Sequence, residues 1–255
     1  MTSGPIVIKY GGSLLEEPGH RTAFLKDVAA LFKNQDVILV HGGGKEISRQ
    51  MEKAGLKPTF VNGRRCTDDA TMVVVKKALA RLNNEIVSEL GKLGVPAFGR
   101  SGQEDHLMEA EAVQELGRVG IPKKVNTEAL AEVLKKKTMP VFYSVAEDAD
   151  HQPLNVNADD FALTVAVACR ADRLVFLTDT GGILDGGGEL IPSISPVEVE
   201  ALASKQVITG GMLVKVKACV DALRQGVGSV DIVKGIRYLL HQQEKPEGTI
   251  FVNGI

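Results

Sequence analysis

Short apolar runs rich in Val and Ile alternate along the chain with longer segments in which apolar residues recur every three to four positions. The runs at 6–10, 37–41, 95–98, 139–145, 173–178 and 230–233 have the length and β-branched composition of strands, and each leads into a glycine, a turn or a helix start. Helical spacing covers 22–32, where Phe24, Leu25, Val28, Leu31 and Phe32 share a face, and returns over 45–54, 70–93, 128–136, 159–170 and 212–224. Strand and helix in alternation predict an α/β fold with a mainly parallel sheet covered on both faces. Residues 161–169 are apolar nearly all round, so that helix is expected to lie buried against the sheet and a further layer. The rhythm breaks at 56–66 and 99–121, where Gly and Pro punctuate short alternating pieces that read as inserted hairpins, and 185–192 reads as another loop or hairpin. No Pro/Ser-rich linker divides residues 1–255, so one domain is expected, with any two lobes sharing one sheet.

Composition narrows the function classes. At 255 residues and 44% hydrophobic, the chain can build a large core unaided. Its 30 basic and 32 acidic residues create no global field for nucleic acid or an anionic membrane, so neither is an expected partner and any affinity for anions must be local. Cys66, Cys169 and Cys219 form no C-x-x-C pair, which points to a reducing compartment rather than to a disulfide framework or zinc knuckle. The start lacks the features of a secretory leader, and no run approaches the ~18 apolar residues of a membrane span, so the cytoplasm is the expected location.

Glycine changes the picture most. There are 27, against about 18 at background frequency, and many cluster at Gly11-Gly12, Gly42-Gly43-Gly44, Gly181-Gly182, Gly186-Gly187-Gly188 and Gly210-Gly211. Neither a Walker A loop nor a G-x-G-x-x-G fingerprint is present, and the His41-Gly42-Gly43-Gly44 run has no G-x-S-x-G nucleophile to serve. What recurs is an apolar strand, then glycines, then a helix, ending at Gly11-Gly12, at Gly42 to Gly44 and at Gly181-Gly182. Such loops bring backbone N–H groups and a helix N-terminus up to an anion, and parallel strands place them on one edge, as a phosphate site needs. Gly186 to Gly188 reads as an ordinary turn.

Individual polar residues carry paired readings. Lys9, inside an apolar strand, is either a solvated edge residue or a buried cation requiring an anion. Lys215 sits in the first turns of a helix, where the dipole disfavours a cation unless an anion is bound. Asn155, Asn157, Asp159 and Asp160 exceed what one helix cap requires. Arg65 is either solvated or a clamp for a carboxylate. The five histidines show no metal-ligand spacing and no paired nucleophile, so no protein metal site is expected.

Six motifs in order, Lys9-Tyr10-Gly11-Gly12, His41-Gly42-Gly43-Gly44, Asn62-Gly63-x-Arg65-x-Thr67-Asp68, Asn155-Val156-Asn157-Ala158-Asp159, Thr178-Asp179-x-x-Gly182-Ile183-Leu184 and Gly211-Met212-x-x-Lys215, closely resemble the N-acetylglutamate kinases of the amino acid kinase family. The resemblance runs from about residue 5 to 249. It implies a three-layer αβα sandwich of the amino acid kinase or carbamate kinase type, with the acyl substrate and dimer contacts in about 1–170 and ATP in about 171–255. It further implies that Lys9 and Lys215 stabilise the transferring phosphoryl group, that Asp159 orients both lysines, and that Gly43, Gly44, Arg65 and Asn155 bind N-acetyl-L-glutamate. Gly11, Gly12 and Gly42 would contact phosphate; Asp179, Thr180, Gly181, Gly182, Ile183 and Leu184 with Val207, Ile208 and Thr209 would line the ATP site, Mg²⁺ riding mainly on phosphates and water. Two places depart from the family pattern, the glycine- and acid-poorer 99–105 loop and Ala146 where glycine is usual, both towards the acyl side. Only eight residues precede Lys9, whereas arginine-inhibited hexameric members carry an N-terminal helix, so a homodimer with little arginine sensitivity is expected. A kinase of aspartate, glutamate or an aminoadipate derivative is the neighbouring alternative, and a non-catalytic ligand sensor on the same fold the remote one.

Overall fold

The structure is a computed structural model describing residues 4–11, 15, 17–179, 181–208, 210–241 and 245–252. In chain order it runs β1 (Ile6–Tyr10), α1 (Pro18–Phe32), β2 (Val37–His41), α2 (Gly44–Lys53), β3 (Phe60–Val61), β4 (Arg64–Arg65), α3 (Asp69–Lys92), β5 (Ala97–Ser101), β6 (Met108–Ala112) and β7 (Val119–Val125). It continues with α4 (Thr127–Lys135), β8 (Met139–Tyr143), β9 (Val145–Glu147), β10 (Pro153–Val156), α5 (Ala158–Ala168), β11 (Arg173–Leu177), β12 (Ile183–Leu184) and β13 (Leu190–Ile191). Last come β14 (Ser193–Ile194), α6 (Pro196–Ser204), α7 (Gly210–Arg224), β15 (Ser229–Val233) and β16 (Gly248–Val252). The expected α/β class and mainly parallel sheet pairing are both present.

Two compact units emerge. One comprises Met1–Val37 with Val165–Ile255, the other Ile38–Thr164. The amino-terminal strand joins the carboxy-terminal residues because β1 pairs in parallel with β11, Ile6 opposite Arg173 through Lys9 opposite Phe176. In that unit the strand order is β14-β16-β15-β11-β1, parallel except where β16 runs antiparallel to β15. Helix α7 packs on β15 and β16, and Tyr10 stacks on Phe24 of α1 at 4.4 Å.

The 38–164 unit has a parallel set, β2-β8-β5, and a small closed barrel in the order β10-β7-β6-β9. Helix α3 packs on β5 and β8. Its buried Met72, Val75, Ala78, Leu79, Leu82, Ile86 and Leu90 follow helical spacing, and Asp68 caps its start by accepting from the Thr71 N–H at 2.7 Å. With Ile47, Met51, Tyr143 and Val145, Met72, Val75, Ala78 and Leu79 form one core cluster, in which each large side chain contributes about 1.5–3 kcal/mol.

The hairpin expected over 56–66 is β3-β4, turning on Asn62 and Gly63 with φ of 49° and 77°. The stretch expected to turn at 99–121 contains β6 and the start of β7, which pair antiparallel and continue into the barrel. The expected 95–98 strand begins at Ala97 instead, because Gly94 (φ 79°) and the Val95 N–H, bonded to Leu90 O at 3.0 Å, still close α3. The expected 139–145 strand is two strands broken at Ser144, β8 belonging to the sheet and β9 to the barrel. Helix α6 was not foreseen, although Ser195 and Glu198 form a reciprocal capping box at its start. No residue of α5 is exposed, as its all-round apolar pattern requires, and burial pushes the following Cys169 thiol up to about 12. All three cysteines are free thiols. No helix of the described residues is long and apolar enough to cross a membrane.

Candidate active site

Within the 38–164 unit, the fully buried strand β2 delivers His41 to the glycine run. Gly43 occupies the N-cap of α2 with no side-chain cap bond, so the positive end of the helix has no capping side chain across it. Packing is close at the first two of these glycines and open at the third. An added Cβ would lie 3.2 Å from Ala158 Cβ at Gly42 and 3.0 Å from Leu79 Cδ2 at Gly43, whereas at Gly44 it would meet nothing within 4 Å. His41 is wholly buried; its Nδ1 bonds Gly42 O at 2.8 Å and its Nε2 meets Asn83 Nδ2 at 3.0 Å. Asn83 also donates to Val141 O at 2.8 Å, so its amide presents hydrogens and the ring must be the neutral Nδ1–H tautomer. Burial lowers the His41 pKa to about 4, against the weaker opposing effect of the Gly42 carbonyl. His41 therefore shapes the glycine loop and carries no charge at neutral pH.

Arg65 is only 6% exposed. Its Nη2 donates to Gly44 O at 2.8 Å and Ser48 Oγ at 2.9 Å, its Nη1 approaches Met51 Sδ at 3.2 Å, and its guanidinium lies 4.6 Å from the Phe60 ring centre. Among the described residues no carboxylate neutralises it, and burial pulls its pKa downward. A desolvated cation at the first turn of α2 is a receptor for an anionic group.

The polar run before α5 divides its labour. Asn155, on β10, donates from Nδ2 to Thr67 Oγ1 at 3.1 Å, and Thr67 donates in turn to Arg65 O at 2.8 Å, so Asn155 and Arg65 belong to one network. Asn157 accepts the Asp159 N–H at 2.8 Å as the cap, and Asp160 pairs with Arg64 at 2.7 Å. Asp159 is half-buried in the first turn of α5. Ala146 is fully buried in β9 opposite Leu154.

In the other unit, Lys9 is half-buried on β1 and its ammonium lies close to Gly11, where an added Cβ would stand 2.9 Å from Lys9 Nζ. Lys215 is half-buried in the second turn of α7, with Nζ 5.2 Å from the Phe176 ring centre of β11. Gly181 has a φ of 77°, and a Cβ at Gly182 would strike Thr249 Oγ1 and the Thr249 backbone nitrogen at 2.5 Å or less. Thr249, which the motifs do not mark, accepts the Ile183 N–H at 2.7 Å and donates to Ile191 O at 2.6 Å. Ile183 is buried while Leu184 is 51% exposed; Val207 is half-buried and Ile208 buried. Gly186 to Gly188 form the β12-β13 hairpin turn, where Asp185 Oδ1 accepts the Gly187 and Glu189 N–H groups at 2.8 and 2.9 Å. Gly12, Thr180 and Thr209 lie outside the described residues.

Motif spacing singled out Arg65 and Asn155 but not the neutral His41–Asn83 pair, Ser48 or Thr249. It also found no metal spacing among the histidines, whereas the fold brings His106 and His151 onto one carboxylate, that of Glu147.

The chain has clear relatives among known proteins. The family model described as "Amino acid kinase family" matches residues 4–234. The acetylglutamate kinase of Endomicrobium trichonymphae is 39% identical over 245 residues, 96% of this chain and 97% of that protein. That of Campylobacter jejuni subsp. doylei is 41% identical over 235 residues, 90% of this chain and 84% of its own. A solved Streptococcus mutans UA159 structure superposes with a TM-score of 0.82 at 28% identity, covering 98% of both chains.

Proposed function

The chain belongs to the amino acid kinase family, and we propose that it transfers the γ-phosphoryl group of ATP to the side-chain carboxylate of N-acetyl-L-glutamate, giving N-acetyl-L-glutamyl 5-phosphate and ADP in arginine biosynthesis. The observation that carries this reading is Arg65, a buried guanidinium without a carboxylate partner among the described residues, held beside the uncapped N-terminus of α2. That pair of features fits an acidic substrate. Gly43, Gly44, Arg65 and Asn155 bind it, and Gly11, Gly12 and Gly42 contribute phosphate contacts.

The chemistry needs no general base. A carboxylate of ordinary pKa, near 4.3, is ionised at neutral pH and attacks phosphorus directly, the new O–P bond forming as the bond to the ADP oxygen breaks. The obstacle is charge, since two anions meet in line while charge spreads over the phosphoryl oxygens. Lys9 and Lys215 offset that charge and Asp159 orients them. Residues 179–184 and 207–209 line the nucleotide, the exposed Leu184 side chain offering an apolar face to the base. Mg²⁺ bound to the triphosphate would supply further positive charge, being a hard cation that prefers phosphate and water oxygens. The enzyme works in the cytoplasm as a homodimer.

Hydroxamate trapping of the acyl phosphate with a panel of acidic amino acids tests the assignment. Product is expected with N-acetyl-L-glutamate and ATP; product with free aspartate or glutamate and none with the acetylated substrate overturns it. Light scattering during gel filtration tests the homodimer, which an arginine-responsive hexamer contradicts.

A further inference from the structure

Outside the residues assigned to catalysis, one cluster has the composition of a ligand site. His106 lies in the short 104–106 helical turn after β5, Glu147 ends β9, and His151 lies in the turn joining β9 to β10. Distant in sequence, the two imidazoles converge on a single oxygen: His106 Nδ1 is 2.7 Å and His151 Nδ1 3.1 Å from Glu147 Oε1. Their ring centres stand 4.4 Å apart, and one donor atom from each of the three residues lies within 4.8 Å of the others. The Glu147 side chain is 5% exposed, whereas those of His106 and His151 are 65% and 64% exposed. A buried carboxylate is therefore roofed by two imidazoles open to solvent.

We propose that His106, Glu147 and His151 bind a divalent transition-metal ion of the Zn²⁺ class. A buried carboxylate calls for a cation, and the arginines of the adjoining segments are committed elsewhere, Arg100 to Asp105 and Arg118 to Asp69 and Asp148. Two imidazole nitrogens and one carboxylate oxygen form a borderline donor set that suits Zn²⁺ and not Mg²⁺, which demands oxygen. With metal–ligand bonds of about 2.0–2.2 Å, tetrahedral donors stand about 3.3–3.6 Å apart. The two nitrogen–oxygen spacings of 2.7 and 3.1 Å need a slight opening, and the ligand atoms already lie within 4.8 Å of one another, an adjustment that two exposed rings can make by rotating.

The loops hold the histidines in place independently. Gln103 Nε2 donates to His151 O at 3.0 Å while its Oε1 accepts from Lys76 Nζ at 2.9 Å. Asp148 Oδ1 accepts the Asp150 and Gln152 N–H groups at 3.0 and 2.9 Å, ordering the turn that presents His151. A bound ion would fasten that turn to the 104–106 segment across one end of the barrel, leaving a coordination position for water. The site stands on its own geometry and does not depend on the kinase reading.

The test uses the full-length protein, stripped with a chelator and exchanged into buffer containing millimolar Mg²⁺. Calorimetric titration with Zn²⁺ is expected to show one equivalent per chain, and Co²⁺ to give a tetrahedral ligand-field spectrum. In the His106→Gln/His151→Gln double variant, affinity at that site is expected to fall by at least about 100-fold, since even outer-shell partners cost 10–100-fold. Zn²⁺ is also expected to shield His106 and His151 of the unmodified protein from diethyl pyrocarbonate, read by peptide mass spectrometry, a measurement that needs no variant to fold. Absence of stoichiometric Zn²⁺ binding at tens of micromolar, unchanged binding in the double variant, or shielding of other histidines instead overturns the proposal.

Discussion

Protonating His41 should loosen the 38–164 unit, because the added proton would appear on Nε2 facing the Asn83 amide, a donor against a donor, inside a fully buried site. In the unfolded chain the ring titrates near 6.5, and in the folded chain at about 4. The unfolded state therefore binds more protons throughout that window, and stability falls as pH drops from about 6.5 to about 4 and then levels off. Linkage over that interval costs about 2 kcal/mol between pH 7 and pH 5, and about 3.4 kcal/mol at full titration. His41→Gln keeps an acceptor for Asn83 but cannot titrate; losing the bond to Gly42 O, it should be less stable at pH 7 by about 1 kcal/mol. Urea unfolding at both pH values, with a chelator present so that His106 and His151 are metal-free, should show the wild type losing about 2 kcal/mol more than the variant. Groups common to both proteins cancel in that difference. If the two lose stability equally, or if the His41 ring proton in NMR titrates near the unperturbed 6.5, the assignment of a neutral buried ring is wrong.

Three further outcomes follow from the same geometry. Arg65→Ala should raise KM for the acyl substrate about 10–100-fold while leaving KM for ATP nearly unchanged, as expected for loss of a forked contact to a desolvated carboxylate; steady-state kinetics with each substrate varied decides this, and equal changes in both KM values contradict it. Lys215→Ala should lower kcat by at least about 100-fold while the melting temperature moves little, so a near-normal kcat removes Lys215 from the phosphoryl-transfer role. Gly99→Ala would drive a Cβ into Asn83 Oδ1, forcing that amide off Val141 O and His41, so chemical denaturation should show a loss of about 2–3 kcal/mol; a change below about 0.5 kcal/mol would mean that Asn83 has room to move.

Local rules carried the sequence a long way. Strand-length Val/Ile runs and 3.6-residue spacing determined the α/β alternation, the Asn62-Gly63 pair determined a hairpin, and six ordered motifs identified the family, because each depends only on residues near one another in the chain. The tertiary structure decided what depends on residues far apart. It set β1 beside β11 and so gathered the chain's two ends into one unit, and it split 139–145 so that β9 closes a barrel. It gave Arg65 a buried place with no carboxylate partner among the described residues, which turns a common surface residue into a demand for a ligand. Histidines 106 and 151 show the limit most plainly: desolvation and donor geometry arise only when Glu147 is buried beneath them, and no one-dimensional spacing encodes that.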